Sequence, residues 1–126
     1  MSAEAAVGER YALTMRTSWL SEYRTPEGAL VMFDIGGHYI TFGMLCSALA
    51  QFPSVEFADF RVPARFAGPA RFRFKGHDYQ IEIAHLDNRI LAADPGAAHA
   101  TTDELLARVR DRLTRKRHVS EVQHVY

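Results

Sequence analysis

Six histidines, one cysteine and a C-terminal run of basic residues are the side chains in this 126-residue chain best suited to chemistry. The histidines are His38, His77, His85, His99, His118 and His124. None stands in a His-x-x-x-His spacing with a glutamate between, the pattern that would place two imidazoles on one helical face for zinc. The nearest local pair is His85 and Asp87. In a strand, residues two apart share a face, so these two could share a cation. A metal site needs a third ligand, and the spacing supplies none, so a half-buried histidine beside a turn aspartate is the simpler reading. Cys46 lies between Leu45 and Leu49, on an apolar helical face, where a thiol packs as a small hydrophobe. No Gly-x-Ser-x-Gly elbow is present. Nothing in the spacing of Glu27, Asp34, Asp59 and Glu82 brings two carboxylates together for acid–base work.

Gly36-Gly37 after an apolar strand could let backbone amides approach a phosphate, but the Rossmann and P-loop spacings are absent. A hairpin turn explains the two glycines more simply. Phe33-Asp34-Ile35-Gly36-Gly37, followed by Ile40 and Phe42, is similar to the Asp-x-Ser-x-x-Gly strand of PilZ domains, whose members bind cyclic dinucleotides. The family's serine is missing here, the spacing is shorter, and Arg61-x-x-x-Arg65 follows the strand where the family's arginine pair precedes it. The likeness covers about ten residues, both of its functional elements are broken, and it does not assign the family. It does suggest a small-molecule or cyclic-nucleotide pocket under the sheet near His38, Tyr39, Arg61 and Arg65.

Arg71-Phe72-Arg73-Phe74-Lys75 places cations beside aromatics, the components of a single-strand nucleic-acid surface. In a strand, however, arginines and phenylalanines point to opposite faces. The second basic feature is Arg108–Arg117, with Arg108, Arg112, Arg115 and Lys116 as the residues that could meet RNA or DNA. A solvated helix face with cations near its negative end is the simpler account of it. The whole chain has 15 basic and 15 acidic residues, a balance that argues against a dedicated nucleic-acid binder. It also removes the self-repulsion that would oppose a homodimer.

The elements that must position these residues follow from periodicity. Tyr11, Leu13, Met15, Thr17 and Trp19 alternate with polar residues as in a strand, while Ala12, Met15, Trp19 and Tyr23 fit a helix; the Thr and Ser content favours the strand. Thr25-Pro26-Glu27-Gly28 is a turn. Val31, Phe33 and Ile35 alternate, and a Gly36-Gly37 hairpin would set Phe33 opposite Ile40 and Val31 opposite Phe42. The rival is a helix beginning near Tyr39. A helix through Phe42, Leu45, Cys46, Leu49 and Phe52 ends at Pro53. Val55–Val62 reads as a strand, and Ala67-Gly68-Pro69 as a loop.

The clearest local signal is a hairpin over Ala70–Ile83. With Gly76-His77 as a type II′ turn, Phe74 would pair with Tyr79, Phe72 with Ile81, Lys75 with Asp78 and Arg71 with Glu82. A turn at Asp87-Asn88 leads to a strand over Arg89–Ala93, which Asp94-Pro95-Gly96 ends. Thr101 and Glu104 have the spacing of a helix capping box, and Leu105, Leu106, Val109 and Leu113 form the apolar stripe after it.

Hydrophobic residues make up 48% of the chain, enough for a packed core, and no apolar run approaches the length that spans a bilayer. The N-terminus lacks the basic and apolar regions of a signal peptide. The expectation is one cytoplasmic α+β domain over 1–126: a curved antiparallel sheet of five to seven strands, with a mid-chain helix and a C-terminal helix. Residues 1–8 read as a loose arm, and 118–126 carry no firm assignment. Without a catalytic motif or metal spacing, the expected function is non-enzymatic binding or regulation through the sheet. The partner would be an unknown protein, a second copy or a small molecule, with no cofactor and no membrane.

Overall fold

The computed structural model describes residues 11–58 and 69–125, with 116–125 as backbone only. Along the chain come β1 (Ala12–Arg16), β2 (Leu20–Arg24), β3 (Leu30–Gly36), α1 (Phe42–Ala50), β4 (Val55–Phe57), β5 (Ala70–Phe74), β6 (His77–Ala84), β7 (Asp87–Ala92) and α2 (Pro95–Val125). The strands form an open antiparallel sheet in the order β1-β2-β3-β7-β6-β5-β4. This is the α+β class that the periodicity predicts, with a mid-chain and a C-terminal helix.

One face of the sheet carries the core. Phe33, Ile90 and Ile81 are cross-strand neighbours on it, as are Phe72, Tyr79 and Ala92. Leu45, Cys46 and Leu49 of α1 pack into the same cluster as Leu105, Leu106, Val109 and Leu113 of α2. The Tyr79 hydroxyl sits 2.9 Å from the Thr102 hydroxyl, which itself donates to the Ala98 carbonyl at 2.8 Å. Tyr79 is therefore the donor to Thr102, and a buried polar tip is satisfied inside the core. Glu22, also on this face, accepts from Arg24 at 2.8 Å and from Arg110 of α2 at 2.9 Å. These bonds tie the helix to β2.

Five local expectations are corrected. Residues 11–24 are strand, but two strands: Thr17 turns the chain, its hydroxyl accepting from the Leu20 amide at 3.0 Å. A bulge at Thr14 sets Leu13 opposite Tyr23 and Met15 opposite Glu22, so these two apolar side chains leave on opposite faces. There is no Gly36-Gly37 hairpin. β3 pairs with β2 and β7, and a turn from Gly36 leads to α1, capped by Thr41, whose hydroxyl accepts from the Met44 amide at 3.2 Å. The rival reading, strand then helix, is the observed one, although the helix starts at Phe42, beyond Tyr39.

The Ala70–Ile83 hairpin forms with its register shifted by two residues. Phe74 stands opposite His77, and Phe72 opposite Tyr79. The turn residues are Lys75 (φ 50°) and Gly76 (φ 83°), a type I′ turn, which takes glycine at its second central position as readily as type II′ takes it at the first. A two-residue shift preserves the faces, so Phe72 and Phe74 are buried while Arg71 and Arg73 face solvent. Arg73 replaces Lys75 as the partner of Asp78, at 3.2 Å. The next turn is His85-Leu86 and not Asp87-Asn88, again with both φ values positive, and Asn88 is a buried strand residue.

Finally, α2 begins at Pro95 and not near Thr101. Asp94 accepts from the Ala97 amide at 3.4 Å through its side chain and from the Ala98 amide at 3.0 Å through its carbonyl. Asp-Pro-Gly is thus a cap followed by a first-turn proline, not a stop signal. Thr101 and Glu104 lie inside the helix, and because α2 runs to Val125, Arg115, Lys116 and Arg117 are not at its end. The turn at Thr25–Gly28 (Gly28 amide to Thr25 carbonyl, 2.9 Å) and the end of α1 before Pro53 are as predicted. Of the expected Val55–Val62 strand, Val55–Phe57 is strand and residues 59–62 lie outside the described residues, as do the N-terminal arm and residues 67 and 68 of the expected loop.

Candidate functional site

The opposite face of the sheet, which neither α1 nor α2 covers, is built from the alternate residues of the same strands. Because Phe33, Ile81 and Ile90 turn inward, Asp34, Glu82 and Arg89 must turn outward, together with Arg71, Arg73, Gln80 and Leu91. Over β4–β7 lies a half-open cavity of about 770 Å³. Its outward-facing polar lining is Glu56, Arg71, Arg73, Asp78, Gln80 and Glu82, and Leu91 adds an alkyl side chain to it.

The electrostatics of this face are set by cross-strand pairs. Arg73 Nε lies 3.2 Å from Asp78 Oδ1, with both side chains largely exposed. Beside the cavity, Arg89 makes a two-pronged contact with Asp34, Nε to Oδ1 at 2.8 Å and Nη2 to Oδ2 at 3.1 Å. The Tyr23 hydroxyl donates to Asp34 Oδ2 at 3.1 Å, and the guanidinium of Arg89 lies 5.3 Å from the Tyr23 ring centre. The Asp34 carboxylate holds the Arg89 guanidinium firmly protonated, and burial followed by the Asp34 charge raises the Tyr23 phenol above its ordinary value. Gln80 donates to Glu82 at 2.7 Å.

The residues singled out from the sequence fall elsewhere. His38 is exposed in the turn after β3, its ring beside Gly36. Tyr39 stacks on Trp19 with ring centres 4.9 Å apart and donates its hydroxyl to the Leu113 carbonyl at 2.8 Å. It pins the turn to α2 and does not line the cavity. Arg61 and Arg65 lie outside the described residues. On α2, Arg108 pairs with Glu104 at 2.9 Å and lies over the Phe74 ring, Arg112 donates to Gln51, and Arg115 pairs with Asp111. Lys116 is described as backbone only.

His85 occupies the turn itself, so strand alternation no longer aligns it with Asp87. Among the described residues, no group of three or more His, Cys, Asp or Glu side chains could hold a metal ion. Cys46 is fully buried, and that burial pushes its thiol up to about 11, opposite to what a nucleophile needs.

The cavity residues missed by sequence reasoning are Glu56, Gln80 and Leu91. Their outward direction was legible in the strand alternation. Their convergence was not, because it depends on β7 lying between β3 and β6. No protein-family model matches this chain, and neither a curated protein nor a solved structure shows significant similarity to it.

Proposed function

We propose that this protein is a non-enzymatic binding domain that takes its ligand on the open face of its sheet. The cavity of about 770 Å³ over β4–β7 carries this reading. Its volume falls in the range of roughly 300–1,000 Å³ typical of small-molecule sites, and its lining joins polar groups to the alkyl side chain of Leu91. Beside it, the buried Arg89–Asp34 pair ties β7 to β3. The test is an NMR titration of the isotope-labelled full chain with a small-fragment library. Shifts gathered on Arg71, Arg73, Gln80 and Leu91 are expected. Shifts confined to α2, or none, would reject the open face as the binding surface.

A second reading, self-association, is favoured by β1. This edge strand is exposed along its whole length, with Leu13 and Met15 at 44% and 42% exposure. The free backbone groups of an exposed edge strand are a template for pairing with another chain. Sedimentation velocity over a concentration series tests it: the wild type should dimerise and Leu13→Lys should not. The basic helix favours a nucleic-acid role less, because Arg108, Arg112 and Arg115 each already have an intramolecular partner. No helix of the described residues is long and apolar enough to cross a membrane.

A further inference from the structure

Charged residues on the open face lie in cross-strand rows. Glu56, Arg73 and Asp78 form one row, and Glu82, Arg89 and Asp34 form another. Every acid that lines the cavity therefore stands opposite an arginine. The row between them runs Arg71, Gln80, Leu91. Here the cation faces a neutral amide, and among the described residues Arg71 has no carboxylate partner. The middle row thus passes from an unmatched guanidinium, through an amide, to an alkyl side chain that is half-buried.

We propose that the cavity takes an amphipathic monoanion, a small carboxylate whose charged end lies on Arg71 and whose apolar body lies over Leu91. This inference rests on the open face being the binding surface and names the class of its ligand. A guanidinium matches a carboxylate with two parallel hydrogen bonds. Gln80 adds an amide beside the head group, and Leu91 supplies apolar surface for the body. A polyphosphate fits poorly: Arg71 and Arg73 against Glu56, Asp78 and Glu82 leave the lining with a net charge of −1. A second anionic group would meet acids, whereas a single one is accommodated at Arg71.

Three ligands with the same alkyl chain and different head groups test this: decanoate, decanol and decyltrimethylammonium, each titrated calorimetrically into the full chain below its micelle concentration. Decanoate should bind tightest. Arg71→Gln should weaken decanoate about tenfold or more and leave decanol unchanged, as expected for loss of a charge-assisted bond. Leu91→Ser should weaken decanoate and decanol together. Circular dichroism confirms that both exposed-face variants are folded. Preference for the ammonium, or decanoate binding indifferent to Arg71→Gln, overturns the ligand class while the binding face stands. If none of the three binds while other fragments shift the open face, the ligand class again falls alone. If no fragment shifts it either, the binding face itself is rejected.

Discussion

Gly37 lies directly beneath the carbonyl of Leu86: a Cβ at position 37 would sit 2.1 Å from that oxygen. Two turns distant in sequence, β3–α1 and β6–β7, are held in backbone contact at one end of the sheet. Leu86 itself is 85% exposed and has φ 69°, a left-handed conformation that a leucine rarely adopts. Pairing along β6 and β7 imposes it, since Ala84 and Asp87 are cross-strand partners and leave only two residues for the turn.

Gly37→Ala should therefore destabilise the protein by about 2 kcal/mol, because backbone must move to relieve the clash. Gly28→Ala is the control. Its φ is +90° but nothing lies within 4 Å of the added carbon, so its cost should be conformational alone, about 1 kcal/mol. Urea unfolding midpoints rank the two. Equal losses would show that the turns separate freely.

Arg89→Met should cost about 3 kcal/mol, because it leaves the Asp34 carboxylate, 4% exposed, without its counter-charge. Adding Asp34→Leu should recover most of that loss, since removing both charges of a buried pair is far less costly than removing one. A double-mutant cycle by denaturant unfolding checks this. Additive losses would mean that the two side chains do not interact in solution.

Burial raises the Cys46 thiol from an ordinary value near 9 to about 11. Between those values the unfolded chain loses its proton first, so stability falls as pH rises through the window. The loss should reach about 2 kcal/mol by pH 11, after which it levels. Cys46→Ala should lower stability at neutral pH and flatten that part of the profile. Thiol labelling of the native protein at pH 8 should be far slower than that of the unfolded chain. Equal rates would place the sulfur at the surface.

Asp94→Ala should cost about 1 kcal/mol as a lost helix cap. Thr101→Ala should show no capping loss, because that residue lies well inside α2. Thermal unfolding of the two variants discriminates the observed start from a start at Thr101, where the ranking would reverse.

The hairpin over β5 and β6 shows what local sequence can and cannot specify. Alternation assigns Phe72, Phe74, Tyr79 and Ile81 to the buried face, because the side-chain period of a strand is two. Two registers two residues apart satisfy that alternation equally. The choice between them lies in the turn, where Lys75-Gly76 and Gly76-His77 are both acceptable. The start of α2 was hidden for a related reason: Asp-Pro-Gly serves as a terminator or as a cap, and only the direction of the following chain decides which.

What the sequence determined by itself is the α+β class of the fold and, along β5 and β6, the face each residue turns to the core. These follow from periodicity, which is local. The tertiary structure decided the order of the strands. β7 enters between β3 and β6, and that insertion aligns Asp34 with Arg89 and places Leu91 beside Gln80. Residues dozens of positions apart are joined by sheet hydrogen bonds that any apolar strand could offer, so no local pattern announces the partner. The ion pair, the open-face cavity and the contact of Gly37 with Leu86 all arise from that choice.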